Sequence, residues 1–367
     1  MKIAFVDLQR QNRRYRKAFS HVFNQTLKDS IFVEGKPVER FERQFADFCG
    51  KKYCVGLNSG TDAILFALLA YGISPGDEVI TAPNSYFSPA MMISQIGAVP
   101  IFVDINPKSG NLDVSKIEKA ITKNTKAIMP VHLCGQSADM DPIVKLAQKY
   151  RLSIIEDACQ AHGARYKNKI LPYTETGTFS FYPGKNLGSF GDAGAIVTDS
   201  KKIRDSALKL RNDGSTKKYI HTQFGYKSRL DTFQAAILSA KIPLLSQWNK
   251  NRRQAALLYN NLLSGIKQVK TPIEMPYVYH IYHLYMITCE NRDGLQKYLE
   301  SYGISTVIHY PIPIHLQKPY RKRGYKPGMY PVTEKRSKAI LSLPMFPEIT
   351  KKEIQFVYKT IASFYAV

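Results

Sequence analysis

Between about residues 53 and 199, the chain alternates short apolar runs with longer amphipathic stretches. Six runs are rich in Val and Ile and bounded by Gly, Pro or Asp, a pattern typical of buried strands. They span residues 78–83, 101–105, 126–133, 152–158, 178–182 and 194–199. The stretches between them have helical periodicity, and Gly72 is a predicted C-cap. Strand alternating with helix predicts an α/β fold whose mostly parallel sheet is covered on both faces. In such sheets the ligand site lies at the carboxyl ends of the strands.

The pattern changes from about residue 243. A long helical stretch, residues 245–265, is followed by a smaller mixed segment. This segment includes the run 279–287, which is expected to be a strand of the small domain and not a ligand site, and the loop 307–317, which is rich in Pro and His. We therefore predict a large domain over residues 1–240 and a smaller C-terminal α+β domain over residues 241–367. No Gly/Ser linker marks the boundary.

The net charge of +23, from 52 basic and 29 acidic residues, would suit a nucleic-acid partner. However, the basic runs resemble neither a helix-turn-helix, nor a zinc finger, nor an aromatic RNA-binding strand. They are better explained as a solvated basic surface, so no nucleic-acid partner is expected.

Five scattered cysteines without a CxxC pair indicate reduced thiols and argue against a metal site. With no apolar segment fit for a membrane span or signal peptide, the expected location is the cytoplasm, with no membrane association.

Two segments contain polar groups at predicted element ends. In residues 58–65, a Ser-Gly-Thr turn opens a helix, and its exposed N–H groups could hold a phosphate. Ordinary helix capping explains this turn equally well. In residues 154–163, two acids end an apolar run, so at least one carboxylate lies at the carboxyl end of a strand. A carboxylate there could keep a cationic ring nitrogen protonated, or it could cap a helix.

Lys185, within residues 178–199, lies between a Pro-Gly turn and a glycine-dense loop. A lysine in this setting can be desolvated, which lowers its pKa and frees the amine to condense with an aldehyde. The glycines permit close approach of the backbone to a flat ring. A further segment, residues 224–238, is a polar turn that runs into an amphipathic helix. That last segment could equally be a capped helix with an Arg-Asp pair.

In this order and at these spacings, the four segments resemble the nucleotide-sugar aminotransferases of the DegT/DnrJ/StrS family. SGTDA, EDACQAHGA and SFYPGKNLGSFGDAGAIVT carry the resemblance, which runs from about residue 5 to residue 347. It implies a pyridoxal 5'-phosphate (PLP) enzyme of fold type I that takes an amino group from L-glutamate, with pyridoxamine 5'-phosphate as the intermediate form. It further implies a keto-sugar nucleotide as acceptor and a homodimer with shared active sites.

The resemblance assigns roles to matching positions. Lys185 matches the catalytic Schiff-base lysine, Asp157 the partner of the pyridine nitrogen, and Gln160 the residue near the phenolic oxygen of the cofactor. The phosphate-binding positions are matched by Gly60, Thr61 and Ser180, and the aromatic ring against the cofactor face by Tyr86. Two positions depart from the family pattern. Lys227 replaces the usual Asn that contacts the phosphate across the dimer interface, where a lysine could supply a point charge or point to solvent. Gly184 replaces a frequent Thr.

Residues 303–317 resemble the segment of relatives that act on dTDP-3-keto-6-deoxyhexoses. His309, Tyr310 and His315 are therefore predicted to line the sugar pocket, unless Pro311 and Pro313 merely hold a rigid loop in which the histidines satisfy backbone groups. Amination at carbon 3 is favoured over a 4-keto sugar linked to dTDP or UDP. A PLP-dependent sugar dehydratase would have His in place of Lys185. The alternative from another class is a non-enzymatic regulatory or DNA-associated protein on the same fold.

Overall fold

The computed structural model describes residues 1–366. The α-helices are α1 (Leu8–Arg14), α2 (Arg16–Asp29), α3 (Lys36–Cys49), α4 (Gly60–Ala70), α5 (Ser88–Gln95), α6 (Val114–Ala120), α7 (Met140–Tyr150), α8 (Lys201–Arg211), α9 (Thr232–Leu263), α10 (Arg292–Ser301), α11 (Lys318–Arg321), α12 (Pro331–Ala339) and α13 (Lys351–Tyr365). The strands are β1 (Tyr53–Leu57), β2 (Glu78–Thr81), β3 (Val99–Phe102), β4 (Thr125–Ile128), β5 (Ser153–Ile154), β6 (Glu156–Asp157), β7 (Arg165–Tyr166), β8 (Lys169–Ile170), β9 (Thr176–Ser180), β10 (Gly194–Thr198), β11 (Ser215–Lys217), β12 (Ile220–His221), β13 (Val269–Lys270), β14 (Val278–Tyr279), β15 (Tyr285–Cys289) and β16 (Ile340–Leu343).

The main sheet is built from two four-stranded groups, β1-β10-β9-β6 and β3-β2-β4-β5. Because β5 leads directly into β6 and Asp157 N donates to Pro130 O at 2.9 Å, the two groups meet along residues 153–157. Strand β10 runs antiparallel to both its neighbours, whereas the other pairings are parallel. This confirms the predicted mostly parallel sheet. Each of the six apolar runs overlaps a strand, and the run 152–158 contains two.

Helices cover both faces of this sheet. On one face, α3, α7 and the first half of α9 contribute to a core around Phe45, Ile143 and Leu238. On the other, α4 and α8 pack around Phe66 and Leu210. Neighbouring strand residues alternate between these two faces, which together form the main-sheet core, as the two-residue period of a strand requires. Helix α4 ends as predicted, because Gly72 follows it with a φ of 75°.

A second core lies around β13, β15 and β16, which form an antiparallel sheet packed by α10, α13 and the second half of α9. The predicted boundary at 240/241 falls inside α9, which is continuous from Thr232 to Leu263. Ala235 and Leu238 join the main-sheet core, whereas Tyr259 and Leu263 join the second. The chain therefore passes from one core to the other within a helix, and the division into two domains stays a prediction.

Residues 1–366 contain neither a membrane-spanning helix nor a metal-binding cluster. None of their helices combines the length and apolar character needed to cross a membrane. In the same residues, no cluster of His, Cys, Asp and Glu side chains is arranged to hold a metal ion, and all five cysteines are free thiols.

Candidate active site

Lys185 lies in the loop that follows β9. Its backbone N–H donates to Tyr182 O at 2.8 Å, which closes a tight turn directly before the side chain. Burial lowers the pKa of the Lys185 amine, while Cys159 and Asp157 act in the opposite direction. A lowered pKa raises the fraction of neutral, nucleophilic amine near neutral pH.

The two acids that end the run 152–158 have different surroundings. Glu156 accepts from Thr174 N and Thr174 Oγ1, from Tyr173 N at 2.9 Å, and pairs with His132 Nε2 at 2.8 Å. Asp157 is buried, and within the described chain its side chain accepts one hydrogen bond, from Cys159 N at 3.0 Å. Asp157 therefore retains acceptor capacity for a ring N–H, whereas Glu156 is occupied by structural bonds.

Gln160 connects the Asp157 loop to the loop 307–317. Its Oε1 accepts from Cys134 N at 2.8 Å, and its Nε2 donates to Tyr310 Oη at 3.3 Å. The Tyr310 ring lies 5.9 Å from the ring of Tyr86, centroid to centroid. The side chain of Tyr86 is 59% exposed, so one aromatic face remains open. The structure thus brings Gln160, Tyr310 and Tyr86 together.

A phosphate-sized cradle is formed where α4 begins beside the end of β9. A Cβ atom added at Gly60 would lie 2.5 Å from Ser180 Cβ, so the backbone and Ser180 are in direct apposition. Ser59 caps the helix by accepting from Asp62 N at 3.1 Å, and Thr61 Oγ1 lies 2.8 Å from Ser88 Oγ. The first N–H groups of α4 point outward at a helix N-terminus, an arrangement that favours anions.

The residues predicted to line the sugar pocket, His309, Tyr310 and His315, have different surroundings. His309 Nδ1 lies 3.0 Å from Ser342 Oγ, and burial followed by the charge of Lys185 lowers its pKa to about 4. The ring of His309 lies 5.5 Å from that of Tyr310, centroid to centroid, so His309 joins the group formed by Gln160, Tyr310 and Tyr86. His315 is fully buried, with its Nε2 3.1 Å from Glu334 Oε1 and its ring against Tyr330. His315 thus pairs with a carboxylate of α12 and not with the backbone groups that the rigid-loop alternative expects, and its place in the sugar pocket stays a prediction.

Lys227 is exposed and lies near Asp213. Its side chain is 70% exposed, with Nζ 3.8 Å from Asp213 Oδ2. The next residue, Ser228, is buried and donates to Asn58 Oδ1 at 3.1 Å, directly before the cradle turn. The segment is thus anchored beside the cradle while Lys227 extends into solvent.

Sequence reasoning missed two histidines near Lys185. His162 is fully buried between Phe179 and Phe181, and burial together with the charge of Lys185 lowers its pKa to about 3. Burial and the same charge hold the pKa of His283 well below its usual value. His162 lies inside the segment 154–163. His283 belongs to the run 279–287, which the sequence suggested was a strand; strands cover residues 278–279 and 285–289, and His283 lies between them.

These groups fit PLP. The cradle has no room for a Cβ, Asp157 keeps acceptor capacity, and a lysine with a lowered pKa follows a tight turn. When bound, PLP supplies an electron sink for a carbanion next to the transferred nitrogen. The protein contributes orientation and electrostatics around it.

Residues 14–362 match the DegT/DnrJ/EryC1/StrS aminotransferase family. The chain belongs to this family. A pleiotropic regulatory protein of Geobacillus stearothermophilus is 43% identical over 100% of this chain and 99% of its own length. The dTDP-3-amino-3,6-dideoxy-alpha-D-galactopyranose transaminase of Aneurinibacillus thermoaerophilus is 41% identical over 98% of both chains. The structure of S. venezuelae DesV in complex with a ketimine intermediate has a TM-score of 0.98 and 37% identity, covering 100% of this chain and 99% of that one.

Membership in the DegT/DnrJ/EryC1/StrS family confirms the predicted family, fold class and reaction type. The protein is a PLP-dependent sugar aminotransferase. Its fold places the polar groups of the site at the carboxyl ends of β6 and β9, where parallel sheets generally bind ligands.

Proposed function

We propose that this aminotransferase transfers the amino group of L-glutamate to carbon 3 of a dTDP-3-keto-6-deoxyhexose, which gives a dTDP-3-amino-3,6-dideoxyhexose. The observation that carries the proposal is the contact of Tyr310 with Gln160 and Tyr86, with the ring of His309 beside it, because His309 and Tyr310 belong to the segment that resembles 3-keto-sugar enzymes. The A. thermoaerophilus relative, whose name specifies a 3-amino-3,6-dideoxyhexose, supports it.

In this proposal, Lys185 is the catalytic nucleophile and then moves the alpha proton as general base and acid. Asp157 keeps the pyridine nitrogen protonated by charge pairing, and Gln160 donates toward the phenolic oxygen. Gly60, Thr61 and Ser180 hold the phosphate at the N-terminus of α4. The pKa values of His162 and His309 are lowered to about 3 and about 4. Both rings are therefore neutral at pH 7 and add no positive charge near Lys185.

Tyr86 and Tyr310 provide aromatic surface to the substrate, and His309 provides a polar group on the same side. Tyr86 also stacks on the cofactor ring. His315 supports the loop from behind through Glu334 and has no exposed surface with which to meet the sugar. A sugar pocket formed by Tyr86, His309 and Tyr310 follows.

The enzyme works as a cytoplasmic homodimer with shared active sites in this proposal. The hairpin β11-β12 and the residues after it expose large apolar rings; Tyr219 is 84% exposed and Phe224 is fully exposed. Exposed apolar patches of this kind mark protein–protein contacts. Lys227 follows that segment, and its exposed ammonium would reach the cofactor phosphate of a second copy.

The test mixes the purified enzyme with L-glutamate and 3-keto or 4-keto sugars linked to dTDP or UDP, and locates the new amine by NMR. We expect amination at carbon 3 of the dTDP-3-keto-6-deoxyhexose. Product with the amine at carbon 4 alone would overturn the position, and turnover of UDP-sugars alone would overturn the nucleotide.

A regulatory function is a second candidate, favoured by the name of the G. stearothermophilus relative. It predicts DNA binding that weakens steeply with salt. The enzyme reading predicts visible absorbance from bound cofactor that bleaches when glutamate is added. A colourless protein that binds DNA would favour regulation.

A further inference from the structure

Helix α9 directs three buried polar side chains toward the loops of the active site. Lys241, Asn249 and Arg252 are each only 2–3% exposed. Their spacing of eight and then three residues places them near one face of the helix. Arg252 donates from Nη1 to the carbonyls of His283, at 3.3 Å, and Met345, at 3.0 Å. The other two reach the loop that carries Lys185.

Lys241 Nζ donates to Gly188 O at 2.7 Å. Its ammonium also lies 4.4 Å from the ring centroid of Phe190 and 5.3 Å from that of Phe19. Within residues 1–366 no carboxylate forms a salt bridge with it, and burial lowers its pKa to about 8. Burying an ammonium without a counterion is costly, and apolar residues of similar size would fill the space at less cost.

Gly188 is mechanically coupled to Lys185. A Cβ atom at Gly188 would lie 2.3 Å from Pro183 O, so the two ends of the segment 183–188 are in contact. Ser189 N donates to Phe181 O at 2.8 Å and closes the loop from outside. A displacement of Gly188 therefore moves the turn in which Lys185 lies.

Asn249 holds the same loop at a second point. Its Oδ1 accepts from Asn186 Nδ2 at 2.8 Å, and its Nδ2 donates to His162 O at 2.8 Å. Asn186 is the neighbour of Lys185, and His162 belongs to the loop that starts at Asp157. One side chain thus ties the lysine loop to the carboxylate loop.

We propose that Lys241 and Asn249 are positioning residues, which hold the loop 183–188 from α9 so that the Lys185 amine is aimed at the reacting carbon. The inference rests on the proposed role of Lys185 as nucleophile and proton carrier. The orientation of the Lys185 amine is then fixed by α9, which also belongs to the second core. Movement of α9 would therefore change the reactivity of Lys185.

The test compares Lys241→Met, which keeps the aliphatic chain, with Lys250→Met, which removes an exposed lysine of the same helix. For Lys241→Met we expect kcat in the glutamate half-reaction to fall by about 10- to 100-fold, because small misplacements of a catalytic group have effects of this size. The KM for glutamate should stay within about twofold, since no substrate contact is removed. Lys250→Met should match the wild type, and Lys241→Arg should recover part of kcat.

A second measurement does not depend on turnover. Competitive acetylation of the apoprotein across a pH series, read by mass spectrometry of the Lys185 peptide, gives the pKa of the Lys185 amine. We expect Lys241→Met to shift that pKa by about one unit, because the solvation of the amine changes with the loop. An unchanged pKa and unchanged kcat in folded Lys241→Met would overturn the proposal, as would a loss confined to thermal stability.

If Lys241→Met does not fold, Asn249→Ala is measured in the same two ways, and an unchanged Lys185 pKa there also overturns the proposal. Failure of the proposed function would give a different result from failure of this inference. A wild-type enzyme that does not aminate the dTDP-3-keto sugar would leave the glutamate half-reaction and the Lys185 pKa measurable.

Discussion

Glu156 and Asp157 are adjacent in β6, yet their side chains lie in regions that differ in how many hydrogen-bond donors and acceptors already have partners. On the Glu156 side, both carboxylate oxygens are occupied, and His132 uses both ring nitrogens, accepting from Ala138 N at 3.1 Å through Nδ1. Because Nδ1 accepts a backbone N–H, the ring proton lies on Nε2 and points to Glu156. This region is saturated, which is typical of structural polar groups.

On the Asp157 side, capacity is left over. Neither nitrogen of His162 has a partner within residues 1–366, and the Asp157 carboxylate receives one hydrogen bond there. Unused polar capacity beside a lysine with a lowered pKa is what a site requires in order to bind a cofactor. The two acids therefore differ in how many of their hydrogen-bond acceptor positions are occupied and not in residue type. The fully occupied Glu156 is structural, and the partly free Asp157 can take part in chemistry.

The largest effect should come from Lys185→Ala. We expect kcat to fall by at least about 10⁴-fold, because nucleophile and proton carrier are lost together. Release of 2-oxoglutarate from glutamate measures it, and Lys202→Ala, at an exposed position, is the matched control. Full activity in Lys185→Ala would remove the basis for a chemical role of this region.

The comparison is tested directly by neutralising each acid. Asp157→Asn should lower kcat by about 10²- to 10³-fold with little change in thermal midpoint, because it removes the charge facing the ring nitrogen. Glu156→Gln should instead destabilise the fold by about 2 kcal/mol, since both oxygens of Glu156 accept hydrogen bonds and the NH2 group of a Gln would face a buried donor. Calorimetry and single-turnover kinetics on both variants measure this. If the two phenotypes were exchanged, the assignment of the two acids would be reversed.

Gly60→Ala should weaken the cradle. The new Cβ would meet Ser180 Cβ at 2.5 Å and its Cα at 2.9 Å, so strand or helix must shift. Overpacking of this kind costs about 1–3 kcal/mol. If this cost appears in the free energy of PLP binding, the Kd for PLP rises roughly ten- to hundredfold. Fluorescence titration of the apoprotein measures it. Gly265→Ala, where a Cβ meets nothing within 4 Å, should bind like the wild type.

The smallest effect is on the free energy of unfolding at acidic pH. Burial and Lys185 lower the pKa of His162 to about 3, whereas the unfolded ring titrates near 6.5. The unfolded state therefore takes up a proton first as pH falls below 6.5, and stability declines by about 2 kcal/mol between pH 7 and pH 5. His162→Gln should lose correspondingly less stability over that range in urea unfolding. Exposed His221→Gln should keep the wild-type slope; an equal slope in His162→Gln would contradict the buried neutral histidine.

Local pattern was sufficient for much of the fold. Short Val- and Ile-rich runs predicted strands of the main sheet, and Gly72 marked the end of α4, because burial periodicity and the left-handed backbone of glycine act within a few residues. The run 279–287 was a partial failure. Its apolar periodicity is that of a strand, but residues 280–284 leave the strand and turn toward Asn186, a contact 97 residues away along the chain.

The sequence by itself determined the family, the α/β fold and the cofactor, because its motifs combine residue types that PLP requires. Only the family resemblance, and not the local pattern, distinguished Asp157 from Glu156. The sequence did not show that His315 pairs with Glu334 or that His162 lies beside Lys185 without a partner within residues 1–366. Nor did it indicate that Lys241 holds Gly188 across 53 residues. Such outcomes depend on which groups tertiary packing brings within hydrogen-bond distance, and that distance is independent of separation along the chain.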